Sequence, residues 1–181
     1  MGCGLGHFCL YAQRQGYNFS GIEPSAMLRQ LANDNLGITL LPGLIDDFQT
    51  EKPYQAITLW DVLEHVYDPV AMLRHCDRVL QKGGHIFLQV PNHRGLTYRL
   101  KTLLCRLKLK RSDFKHFGFP WHVYAFDKKS LMAMFAKLDY QIVLMESWSS
   151  EAKGGKRSRW SHFIKNRCWH EYILCVAKKP L

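Results

Sequence analysis

Acidic residues are scarce. The chain has 15 Asp and Glu against 25 Lys and Arg in 181 residues, a net charge of +10. No apolar run approaches the roughly 18–20 residues that span a bilayer. No charged-then-apolar leader opens the chain, so the expected location is cytoplasmic. The six cysteines (Cys3, Cys9, Cys76, Cys105, Cys168 and Cys175) include no Cys-x-x-Cys pair, which speaks against a disulfide framework or a thiolate zinc site and for reduced thiols. No other His, Cys, Asp or Glu grouping has ligand spacing, so no metal is expected. Met1-Gly2-Cys3 starts like a myristoylation signal, but Gly6 stands where Ser or Thr is required. One more absence concerns the amino end. The glycine-rich run Met1-Gly2-Cys3-Gly4-Leu5-Gly6 has nothing before it, whereas such a loop normally follows a buried strand.

What is present suits one globular domain over residues 1–181. Apolar residues make up 47 % of the chain, and the 13 % aromatic content argues against disorder. The positive charge is concentrated. Eight Lys/Arg and one acid lie between Arg94 and His116, and six Lys/Arg and one acid between Glu151 and Arg167. This implies a basic helical insertion at about residues 94–118 and a basic loop at about residues 149–168 on a near-neutral body. A uniformly basic nucleic-acid binder would look different, so nucleic acid is not an expected partner. Within 95–110, Leu96, Leu100, Leu103, Leu104 and Leu107 form one helical stripe with cations on both sides. The stripe either packs on the domain or meets an acidic substrate or the surface of an anionic membrane.

The elements alternate. His7 to Gln15 reads as a helix, Tyr17 to Ile22 as a strand, and Ala26 to Asn35 as a helix opened by Pro24-Ser25. Ile38 to Leu41 reads as a second strand and Tyr54 to Trp60 as a third. The helix from about Pro69 to Leu80 is followed by a sharp turn at Lys82-Gly83-Gly84 and a fourth strand at His85 to Val90. Such alternation predicts an α/β fold: a Rossmann-like, mostly parallel sheet with helices on both faces. Ligands of such sheets bind at the carboxyl ends of the strands. Gly2 to Gly6, Glu23, Leu44 to Asp46 and Trp60 to His65 all fall at that edge. Alternating glycines admit positive φ and close approach to a ligand, and an acid about 20 residues later can accept ribose hydroxyls.

These segments, with Gly21-Ile22-Glu23-Pro24-Ser25, Asp61-Val62-Leu63-Glu64-His65-Val66, Arg78 to Gly84 and Val90-Pro91-Asn92, resemble the ordered motifs of class I S-adenosylmethionine-dependent methyltransferases. The likeness runs to about residue 92. It resumes at Trp121 to Phe126, continues through a helix from Lys128 to Leu138, and ends in an antiparallel C-terminal strand, Tyr172 to Lys179. By resemblance the cofactor is S-adenosylmethionine, held by Gly2, Gly4, Gly6, Glu23, Leu44, Ile45 and Asp61. The family places a hydrophobic strand before the glycine loop. Here that first strand is missing, which predicts exposed ladder groups on its neighbours and a truncated amino end.

Methyl transfer to a hydroxyl or acidic carbon needs a base, and His122 and His65 are the candidates. Trp60, Trp121 and Tyr124 are candidates to line the pocket of a small-molecule acceptor, or else are core. Two other functions remain open at this point. One is a nicotinamide-dependent dehydrogenase, whose glycine loop and ribose acid are alike. The other is an inactive remnant that binds an anionic surface through its basic segments. Oligomeric state is not legible.

Overall fold

The computed structural model describes residues 1–109, 121–149 and 168–181. The basic loop at 149–168 and the distal part of the basic insertion lie almost wholly outside these residues.

Among the described residues eleven elements follow one another: α1 (His7–Arg14), α2 (Ala26–Leu36), a 3-10 turn (Ile45–Asp47), β1 (Tyr54–Trp60), a second 3-10 turn (Leu63–His65), α3 (Pro69–Val79), β2 (Leu80–Pro91), α4 (Leu96–Arg106), α5 (Lys128–Ala136), β3 (Gln141–Trp148) and β4 (Tyr172–Lys178). Local chemistry sets the helix starts. The Ser25 hydroxyl accepts from Leu28 N–H to cap α2. Asp68 accepts from Ala71 N–H ahead of Pro69, and Asp127 and Ser130 cap each other's backbone at α5.

The four strands form one sheet in the order β1-β2-β4-β3. β1 runs parallel to β2, and β4 is antiparallel to both β2 and β3. The α/β class holds, with a mixed sheet. Two expected strands are not ladder members. Residues 17–22 and 38–41 pair only through one isolated parallel bridge, Ile22 to Leu41, and no described strand lies between Ile22 and β1. The expected turn at Lys82-Gly83-Gly84 lies within β2 instead, where the register against β1 jumps between Tyr54 and Ala56. β3 was not anticipated.

One face of the sheet carries Ile57, Leu59, Ile86, Leu88, Val90, Ile173 and Cys175, packed against Leu73 and Cys76 of α3 and Leu131 and Phe135 of α5. Full burial of such side chains contributes about 1.5–3 kcal/mol each. On the other face Thr58, Trp60, Phe87, Gln89 and Leu174 are half-buried. α1 reaches it through Phe8, edge-on to Trp60 at 5.3 Å between ring centroids.

Asn92 locks the exit from β2. Its Nδ2 donates to the carbonyls of Cys168 and His170, both at 2.7 Å, and its Oδ1 accepts from Arg94 N–H at 3.1 Å. Gly95 lies so close behind that a Cβ there would stand 2.5 Å from His170 O. Asn92→Ala leaves two carbonyls and an amide without these partners in a buried place. The expected loss is about 2–4 kcal/mol of unfolding free energy, read from urea denaturation.

Candidate active site

The glycine loop is held from below. Ile22 O accepts from Gly2 N–H at 2.9 Å and Cys3 N–H at 3.3 Å. Gly2, Gly4 and Gly6 have φ of 63°, 53° and 79°, all in the region that disfavours side chains. A Cβ on Gly2 would meet Val62 at 2.7 Å, whereas Gly4 faces open space. Gly4 is therefore where a ligand can approach the backbone closely. Gly6 is the N-cap of α1, so the positive end of that helix faces the same edge.

Glu23 is buried and already engaged. Its Oε2 accepts from Gly4 N–H at 2.8 Å and its Oε1 from Ser25 N–H at 3.0 Å. It fixes the loop's shape, and each oxygen keeps a second lone pair for a ligand hydroxyl. Leu44 is exposed, and Ile45 is buried at the start of the first 3-10 turn. Asp61 leaves β1 with φ 53°, and its Oδ2 accepts from Gln89 Nε2 at 3.0 Å. Trp148 Nε1 in turn donates to Gln89 Oε1 at 3.1 Å. The fold thus brings Glu23 and Asp61, which follow segment 17–22 and β1, to the same edge as the glycine loop at the start of α1.

A second group converges beside Asp61. The rings of His65 and His122 lie 4.9 Å apart, and those of His122 and His93 6.3 Å apart. His65 Nδ1 is 2.8 Å from Trp121 O. A carbonyl only accepts, so Nδ1 carries the proton and Nε2 presents its lone pair. That Nε2 is 3.9 Å from Glu64 Oε1. Glu64 is 1 % exposed, and neither carboxylate oxygen has a hydrogen-bond partner among the described residues. Burial, with the charge of Asp61 nearby, pushes its carboxyl up from the ordinary 4.5 to about 7. Burial, and secondarily His65, pulls His122 below the usual imidazole range. Burial likewise lowers His93.

The same residue organises the segment above it: Glu64 O accepts from Val123 N–H at 2.8 Å and Tyr124 N–H at 3.1 Å. The Tyr124 hydroxyl donates to Tyr67 O at 3.0 Å, while Trp121 is exposed. Trp60 is apart from this group, against Phe8. Glu64 and His93 were missed as site residues, although an acid directly before a candidate base at a strand exit was a usable signal for Glu64. Chemically, the cluster can take up a proton from an acceptor. Its donor atoms on Glu64, His65 and His122 also lie within 4.8 Å of one another, close enough for one divalent cation, although sequence spacing alone suggested no metal set.

The model of the family described as "Methyltransferase domain" matches residues 1–144. The chain belongs to that family. Its fold is that of class I S-adenosylmethionine-dependent methyltransferases, with S-adenosylmethionine as cofactor, and the dehydrogenase alternative falls away. A ubiquinone biosynthesis O-methyltransferase of Xanthomonas campestris is 25 % identical over 190 residues, covering 98 % of this chain and 74 % of the relative. One from Vibrio parahaemolyticus is 29 % identical over 105 residues, 54 % of this chain and 45 % of the relative. Among solved structures, a possible histamine N-methyltransferase of Thermotoga maritima superposes with a TM-score of 0.70 at 17 % identity, covering 99 % of this chain and 79 % of that one. The magnesium protoporphyrin IX methyltransferase of Synechocystis, solved with bound S-adenosylhomocysteine, gives 0.64 at 14 % identity, covering 98 % and 71 %. The open backbone at Gly4, the anion-favouring helix end and the spare lone pairs of Glu23 fit such a cofactor.

Glu64 gives the site a pH signature. Between about 4.5 and 7 the folded protein holds a proton that the unfolded chain has lost, so stability falls as pH rises through that window. Glu64→Gln removes the buried charge. Its melting temperature should exceed wild type by a few degrees above pH 7, with the gain shrinking toward pH 5, in a thermal-shift series.

Proposed function

We propose that this methyltransferase methylates a hydroxyl oxygen of a small aromatic acceptor. The observation that carries the reading is the group of Glu64, His65 and His122 at the carboxyl edge of the sheet. A hydroxyl must lose its proton as it attacks, and this group is built to take one. The relatives named for ubiquinone biosynthesis are O-methyltransferases, which supports the same atom.

The bound cofactor supplies a methyl group on an already activated sulfonium. The residues of this chain align the acceptor and manage its proton. His122, lowered in pKa by burial, is neutral near pH 7 and accepts the proton from the acceptor hydroxyl. His65, its tautomer fixed by Trp121 O, and Glu64 stabilise the imidazolium that results. Holding acceptor and methyl in line supplies much of the remaining acceleration. Methyl transfer to a panel of catechols, phenols and aromatic amines should favour the hydroxyl acceptors. His122→Ala should lower kcat by about 10²-fold while S-adenosylmethionine affinity stays near wild type. Preferential transfer to the amines, or an unchanged kcat in the variant, would refute the reading.

An anionic membrane surface is the partner best supported for α4. None of its residues is buried, and Leu96, Leu100, Leu103 and Leu107 lie exposed along one stripe beside Arg99 and Arg106. Apolar side chains flanked by cations suit an interface of lipid headgroups. Sedimentation with anionic vesicles should recover the protein at low salt and lose it at high salt. Replacing Leu100 and Leu103 with Ser should abolish the association.

A further inference from the structure

Two of the six cysteines meet beneath the glycine loop. Cys3 stands between Gly2 and Gly4 and is half-buried, and Cys9 is the buried third residue of α1. Their thiols share a hydrogen bond. They can meet because residue 21 is a glycine. A Cβ built there would stand 3.0 Å from the sulfur of Cys3 and 3.0 Å from that of Cys9, with Leu40 Cδ2 at 2.5 Å. Cys9 belongs to the small apolar cluster of Ala32, Ile38 and Leu40, and Cys3 packs against it.

The two thiols are chemically unlike. Cys9 is the donor, and its hydrogen bond holds the Cys3 thiol down at about 6 against the opposite effect of burial. The same bond, followed by burial, pushes Cys9 up. Near pH 7 Cys3 is therefore mostly thiolate, the nucleophilic form, with a protonated thiol beside it. Burial pushes the thiols of Cys76 and Cys175 up to about 12, so they are inert by comparison.

Cys3 is also tied into the cofactor edge. Its N–H donates to Ile22 O at 3.3 Å, and its carbonyl accepts from Gly6 N–H at 2.8 Å. The next residue, Gly4, donates to Glu23 Oε2 at 2.8 Å. A covalent S–S bond is about 2.05 Å long, shorter than any hydrogen bond between sulfurs. Closing it draws Cys3 toward α1, and the displacement passes to Gly4 and its bond to Glu23.

We propose that Cys3 and Cys9 form a reversible disulfide that switches off cofactor binding in the presence of a hydroperoxide. The Cys3 thiolate attacks one peroxide oxygen, the O–O bond breaks, and the departing oxyanion takes a proton from solvent. Cys3 is left as a sulfenic acid. The Cys9 sulfur then attacks the Cys3 sulfur, the S–O bond breaks, and the Cys9 proton leaves with the hydroxide as water. The two sulfurs together give two electrons to the peroxide, and an external dithiol reverses the bridge by exchange. The proposal rests on the glycine loop as the cofactor site and is independent of which acceptor atom is methylated.

The test treats the 181-residue protein with dilute hydrogen peroxide, alkylates it, cuts it with trypsin and weighs the peptides. Residues 1–14 leave as one peptide that holds Cys3 and Cys9 and no other cysteine. The bridge makes that peptide lighter by two hydrogens and bars alkylation. Calorimetric titration with S-adenosylmethionine should then show an affinity at least about tenfold weaker, the effect of losing a hydrogen bond to a charged group. Dithiothreitol should restore it. In Cys9→Ala the bridge cannot form, and Cys3 should be trapped by dimedone as its sulfenic acid; should that variant fail to fold, the wild-type measurements decide alone. A peptide 1–14 that stays fully alkylated after peroxide would overturn the proposal. So would a complete bridge with unchanged affinity, or lost affinity without the bridge. A reduced protein with no affinity for S-adenosylmethionine would instead contradict the cofactor edge itself, and the switch with it.

Discussion

The amino-terminal third of this protein meets its sheet at Met1, which bonds to β1, and at Ile22, which is buried in the main core. Thr58 O, on β1, receives the Met1 amino group, and Ile22 O receives Gly2 and Cys3. Everything that shapes the cofactor edge on that side hangs from this link. Ile22 precedes Glu23, Glu23 holds Gly4, and Gly6 starts α1, which leans on Trp60 through Phe8. The contacts are mostly backbone hydrogen bonds, each with a modest net contribution of about 1 kcal/mol. The large apolar core beneath the sheet comes mostly from residues 57–177 but takes in Ile22 and Ile45, with Met1 packed against it. A small separate cluster of Cys9, Ala32, Ile38 and Leu40, with Cys3, Leu10, Phe19 and Leu36 against it, packs the amino-terminal side internally.

The chemical side of the site depends on a different balance. Glu64 is buried with no hydrogen bond to its carboxylate among the described residues, which is costly for a charge and raises its pKa. Its backbone carbonyl meanwhile anchors Val123 and Tyr124, and that anchorage brings His122 beside His65. One residue thus joins the two chain segments that carry the candidate bases. Local stability given up at a buried carboxyl is a common cost of an acid–base centre.

Much of this was legible in the sequence because it depends on local chemistry. Ser25, Pro69 and the periodic apolar residues of α3 mark their helices without reference to the rest of the chain. The apolar run ending in Trp60 marks β1, and the glycine loop with Glu23 one segment later marks the candidate cofactor edge. What was not legible depends on neighbours. Residues 17–22 and 38–41 have strand-like sequences but no adjacent strand among the described residues, and they make a single bridge. Ile142 to Met145 is a continuous apolar run without clean alternation, and only pairing with β4 makes it a strand. Glu64 looks like a solvated helix-entry acid until residues 121–124 fold over it, and His93 becomes a site residue only because His122 arrives from 29 positions away.

The central claim, a cofactor edge built by the glycine loop and its acid, is tested most directly by titrating the amide-labelled protein with S-adenosylmethionine and following backbone NMR shifts. Saturable changes are predicted at Gly2, Gly4, Gly6, Glu23 and Asp61. Shifts confined to residues 18–22 and 54–58, or no saturable change at the glycine loop, would contradict it.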